Sequence, residues 1–130
     1  MAKILLVEDD PLQGFLRKSI LERRFPEVER VADATEALCL VEQPLFAGNL
    51  GLVICGLHLP GFGGPAFVSE LRERMPSLPV LVLGGASEAA GDYLGAGMGN
   101  GVRFLPRPNT TEEMLALASQ MLGLREPLPA

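Results

Sequence analysis

One run, Gly51-Leu52-Val53-Ile54-Cys55-Gly56, contains no charged or strongly polar side chain, and it limits what the chain can fold into more than any other feature. A strand that shows an unbroken apolar face to both sides has to be covered on both sides. Lys3 to Val7 and Pro79 to Leu83 read the same way, and Val28 to Val31 and Val102 to Leu105 read as shorter strands. Helix-like patterns separate all five. Strict alternation of strand and helix with short loops calls for crossover connections, and hence a parallel sheet sandwiched between helices. Right-handed crossovers then leave only a few doubly wound arrangements. The expected architecture is a three-layer α/β fold, a doubly wound (βα)5 parallel sheet. The alternation does not itself give the strand order.

The helix boundaries follow from local chemistry. Pro11 suits a first helical position, since its missing N–H has no partner there anyway, and this makes Asp10 the N-cap. Leu12, Phe15, Leu16 and Ile20 mark one face of that helix, which stops before Pro26. Asp33 with Glu36 opens the next, with Ala34, Ala37, Leu38 and Val41 as its apolar face and Pro44 as its end. The stretch Phe46 to Asn49 reads as a loop. Pro65 starts a third helix with Phe67, Val68, Leu71 and Met75 inward. After Gly84, Gly85 and Ala86, Ser87 caps a helix containing Gly91, Gly95 and Gly97. Each of those glycines costs about 1 kcal/mol relative to alanine, so this helix is expected to be short or mobile. The capping box Thr110-Thr111-Glu112-Glu113 opens the last helix, which should bury Met114, Leu115, Ala118, Met121 and Leu122.

Composition narrows the classes of function. At 130 residues there is room for one domain with a core of its own. A net charge of -5 and a pI near 4.8 speak against direct binding of nucleic acid, which needs a local excess of Lys and Arg. No apolar run approaches the roughly 18 residues of a membrane span, and Met1 to Ile4 does not read as a signal peptide, so a cytoplasmic location is expected. Cys39 and Cys55 lie in apolar surroundings without metal-ligand spacing and are expected to be buried, reduced thiols; a redox sensor at Cys55 is the alternative.

In open α/β sheets the chemistry sits beyond the carboxyl ends of the strands. Those ends contribute Glu8 and Asp9, Gly56, Gly84 with Gly85, and Arg107. Val-Glu-Asp-Asp-Pro after the first strand, Leu-x-Leu-Pro-Gly after the third, the apolar strand ending at Gly84, and Phe-Leu-Pro-Arg-Pro before the last helix fall in one order and spacing. By these motifs the chain resembles the receiver domain of bacterial response regulators (CheY-like) over roughly residues 3–123. The resemblance implies a flavodoxin-like sheet of order 2-1-3-4-5, a receiver unit over residues 1–124 and a tail or linker start at 125–130. It also implies a role in two-component phosphorelay signalling rather than as an enzyme.

In that family the acidic pair holds Mg²⁺, an Asp closing the third strand accepts a phosphoryl group from a histidine kinase, a Thr or Ser follows the fourth strand, and a Lys precedes a Pro. Glu8 and Asp9 match the acidic pair. The other three positions depart: Gly56 stands for the acceptor, Gly84 for the hydroxyl and Arg107 for the Lys, and Gly63 stands where a further acidic residue is usual. Phosphoryl transfer needs a carboxylate in line with the donor and a cation neutralising the developing charge. Gly56 supplies no carboxylate, so a pseudo-receiver that is not phosphorylated at the usual position is expected. Mg²⁺ demands near-octahedral oxygen geometry, and with at most two carboxylates at Glu8 and Asp9 its binding should be weak, if it binds at all. A salt bridge from Arg107 to Asp9 competes with it.

Other readings stay open. The missing side chains at Gly56, Gly84 and Gly85 open a hollow beside Arg107 that could take an anion or nucleotide phosphate through backbone N–H groups. An acceptor displaced to Asp9 or Asp10 is a further alternative, and His58 as a substitute acceptor competes with a plain loop residue. The expected partners are signalling proteins, such as a histidine kinase or a downstream effector. They would dock on the face formed by the helix after Ser87, the strand at 102–105 and the last helix, which includes Tyr93 and Phe104. The same face could form a homodimer.

Overall fold

The apolar runs pair into one five-stranded sheet in which every neighbouring pair is parallel. In the computed structural model the described residues are 2–56, 59, 64–84, 101–106 and 110–125. Along the chain they form β1 (Lys3–Val7), α1 (Pro11–Leu21), β2 (Val28–Val31), α2 (Ala34–Val41), α3 (Pro44–Asn49), β3 (Leu50–Gly56), α4 (Gly64–Arg74), β4 (Val80–Leu83), β5 (Val102–Leu105) and α5 (Thr111–Arg125). The strand order is β2-β1-β3-β4-β5, that of the flavodoxin-like receiver fold. The expected helix between Ser87 and Gly97 lies outside the described residues. Helix α5 runs through Arg125, one residue past the boundary expected for the tail.

Strand alternation divides the core into two layers, because successive side chains point to opposite faces. Ile4, Leu6, Leu52, Ile54, Leu81 and Leu83 point to one side, where Leu21 of α1 and Met114, Leu115, Ala118 and Met121 of α5 cover them. Leu5, Val7, Val53, Cys55, Val80 and Val82 point to the other, under Ala34, Ala37 and Val41 of α2 and Phe67, Val68 and Leu71 of α4. Full burial of each such side chain contributes about 1.5–3 kcal/mol, so the central strands β1, β3 and β4 anchor the fold.

The caps agree with the sequence. The Asp10 Oδ1 accepts from Leu12 N (2.9 Å) and Gln13 N (3.2 Å), and the Asp33 Oδ1 from Glu36 N (2.8 Å). Thr110 and Glu113 exchange reciprocal bonds of 3.1 and 3.0 Å, which closes the capping box.

Three expectations are corrected. The stretch after Pro44 is not a loop: Pro44 sits at the first position of α3, the place where a proline costs a helix nothing. Cys39 is exposed, because the buried face of α2 is set by Ala34, Ala37 and Val41, and only Cys55 is buried. The row Leu12, Phe15 and Leu16 of α1 faces solvent, at 65%, 68% and 45% exposure, while Gly14 and Leu21 are the residues turned fully inward. The reason for that rotation lies at the carboxyl edge of the sheet.

Candidate functional site at the carboxyl edge of the sheet

Register brings the strand ends together. Val7 pairs with Val31 and Cys55, and Leu83 pairs with Gly56 and Leu105, so Glu8, Gly56, Gly84 and Pro106 emerge along one edge. The ladder extends one step further at two places, where Glu8 N donates to Val31 O (3.0 Å) and Gly84 N to Leu105 O (2.8 Å).

Glu8 is the one buried charged residue among the described residues, at 8% exposure. A carboxylate taken out of water needs partners for its oxygens and for its charge. Arg17 Nη1 donates to Oε1 in a salt bridge between side chains only 17% and 10% exposed. The Asp10 N–H donates to Oε2 at 3.2 Å. A second guanidinium approaches from β2: Arg30 Nε and Nη2 donate to the Glu8 carbonyl at 3.1 and 2.7 Å. Arg30 passes over Gly14, where a Cβ would stand 2.4 Å from Nε, so a side chain there would push Arg30 aside. Gly14 and Arg17, one helical turn apart on the same face of α1, therefore serve the same carboxyl edge. Turning them inward turns Leu12, Phe15 and Leu16 outward.

The three acidic residues in a row thus have three different situations. Glu8 is buried and paired, Asp10 caps α1, and Asp9 is exposed, with no ion-pair partner among the described residues. Arg107, expected to bridge Asp9, lies outside the described residues, as do Gly85, His58, Gly63 and Tyr93. The bridge found at the edge joins Glu8 to Arg17, a pairing that the sequence reading missed. No local spacing marks it, because Arg17 lies off the apolar row of α1.

Gly56 is the last residue of β3 and is half-buried. Gly84 is buried and has φ of +93°, a conformation open to glycine and strained for other residues. Phe104 is half-buried on β5 and packs against the core layer under α2 and α4. Burial pushes the Cys55 thiol up to about 12, which keeps it protonated and unreactive at neutral pH. Among the described residues no group of three or more His, Cys, Asp or Glu side chains could hold a metal.

The profile of the response regulator receiver domain matches residues 4–119. The chain belongs to this family. The receiver is 31% identical over 122 residues to the transcriptional regulatory protein BasR of Escherichia coli, covering 92% of this chain and 52% of BasR. It is 30% identical over 122 residues to the sensor kinase CckA of Brucella abortus, covering 93% of this chain and 12% of CckA. The chain therefore spans about half or less of these two relatives. A receiver domain protein from Clostridium thermocellum superimposes with a TM-score of 0.80 at 23% identity, covering 94% of each chain, which shows a shared fold.

Proposed function

We propose that this receiver works in two-component signalling by protein–protein interaction, without phosphorylation at the position usual in its family. Gly56 carries the proposal: it ends β3 at the edge where Glu8 emerges, and it has no oxygen to accept a phosphoryl group. The φ of +93° at Gly84 adds support, since a Thr or Ser there would be strained as well as absent. Of the neighbouring acids, Glu8 is engaged by Arg17 and Asp10 by the first turn of α1, which leaves Asp9 as the acid against which the proposal is tested. Activity would then lie in the surface that the fold displays. The exposed row Leu12, Phe15 and Leu16 supports docking of another protein, since contiguous apolar side chains at a surface mark interaction sites. The face around the half-buried Phe104 of β5 is a second proposed docking surface.

Membership of the receiver family supports a cytoplasmic module with a kinase or effector as partner. Among the described residues no helix is long and apolar enough to cross a membrane. Incubation with acetyl phosphate and Mg²⁺, followed by intact-mass measurement, tests the reading. No stable mass gain is expected. Gain of one phosphate, mapped to any acidic residue of the edge, refutes it, and Asp9 is the first residue to inspect because it is exposed and has no ion-pair partner among the described residues.

A further inference from the structure

We propose that the Arg17 guanidinium is a built-in cation that neutralises the Glu8 carboxylate in place of a divalent metal. The inference deepens the reading of a receiver that works without phosphorylation, and it rests on the donor set at Glu8. Both carboxylate oxygens there are already used, Oε1 by Arg17 Nη1 and Oε2 by the Asp10 N–H. Mg²⁺ requires a regular oxygen shell and surrenders its waters reluctantly, so to bind Glu8 it would have to displace a guanidinium that is itself only 17% exposed. The displaced Arg17 would then be a mostly buried charge without a counter-ion.

Arg30 adds to the effect. Its two bonds to the Glu8 carbonyl place a second positive charge beside the same residue, so an entering cation meets repulsion from two sides. Gly56 contributes no carboxylate that could offset this, which leaves Asp9 as the one open acid of the edge among the described residues. The Mg²⁺ implied by the family therefore does not fit these residues. Helix α1 is shaped for the substitute: Gly14 clears the path of Arg30 and Arg17 supplies the charge, both from its inward face. Arg17 is accordingly a positioning residue, acting through Glu8.

The test is a Mg²⁺ titration of the whole chain followed by amide chemical shifts at Glu8, Asp9 and Asp10, with melting temperature read in parallel. The parent and Arg17→Lys, which keeps the charge, are expected to show no saturable shift. Arg17→Met, which keeps the stem and removes the charge, is expected to gain saturable shifts at Glu8 and Asp9 and a melting temperature that rises with Mg²⁺. If Arg17→Met does not fold, Arg17→Gln carries the same comparison. Saturable Mg²⁺ binding by the parent overturns the proposal, and so does an uncharged variant that remains as blind to Mg²⁺ as the parent. Neither result bears on phosphorylation, which the mass measurement reads separately: a parent that binds Mg²⁺ yet gains no phosphate sinks the built-in cation alone.

Discussion

Replacing Arg17 by Met should destabilise the fold by about 2–3 kcal/mol. The figure starts from the cost of orphaning one member of a fully buried ion pair, about 3–5 kcal/mol. Two features lower it. The Glu8 side chain is 10% exposed and keeps the Asp10 N–H at 3.2 Å, so its charge is not wholly unpartnered. Met also retains the apolar contacts of the arginine stem. In a domain of 130 residues each kcal/mol shifts the melting temperature by about 3–5 °C, so a fall of about 10 °C is expected. Urea unfolding should show a lower midpoint with an unchanged slope. Because the cost comes from Glu8 rather than from lost packing, Glu8→Gln in the Arg17→Met background should recover much of it, and a double-mutant cycle measures the coupling. A loss below about 0.5 kcal/mol for Arg17→Met would place the pair with exposed ion pairs of little worth and overturn its role in the fold.

Three further predictions concern Gly84 and the two cysteines. Gly84→Ala should cost about 1–2 kcal/mol in urea unfolding, because a Cβ is strained at φ of +93°; a neutral result would mean that the backbone there relaxes freely. Iodoacetamide at mild alkaline pH should label the exposed Cys39 and spare the buried Cys55, giving one adduct by mass, and two adducts on the folded chain would contradict the burial. The Cys55 thiol, pushed from an ordinary 9.0 to about 12, favours the folded chain at alkaline pH only as long as it keeps its proton. Its contribution is complete below pH 9.0 and declines as pH rises toward about 12, by about 1.4 kcal/mol per pH unit, so Cys55→Ala should flatten the alkaline slope of stability.

Local chemistry made much of the fold legible. A strand buried on both faces has to be apolar throughout, and β3 and β4 are. Caps are contacts within three residues, and Asp10, Asp33 and Thr110 hold the N–H groups expected of them. The last helix buries the five residues its spacing indicated. At the edge, the absence of a side chain at Gly56 was visible in the letters alone. The pairing of its neighbours was not. Glu8 lies nine residues from Arg17 and 22 from Arg30; the packing of α1 brings in the first, and the pairing of β2 with β1 the second.

The rotation of α1 belongs to the same class. Hydrophobic spacing in an isolated helix identifies a stripe, but the direction in which that stripe faces depends on what the neighbouring elements need. Here the need is set by a buried carboxylate, which draws Arg17 inward and asks for the space above Gly14, and the apolar row is left in water. The order of the residues thus determined the strands, most of the helices and their caps, which depend on near neighbours. Which charges meet, and which face of a helix is free for a partner, was decided by tertiary packing, because electrostatic satisfaction of a buried group is a property of everything around it.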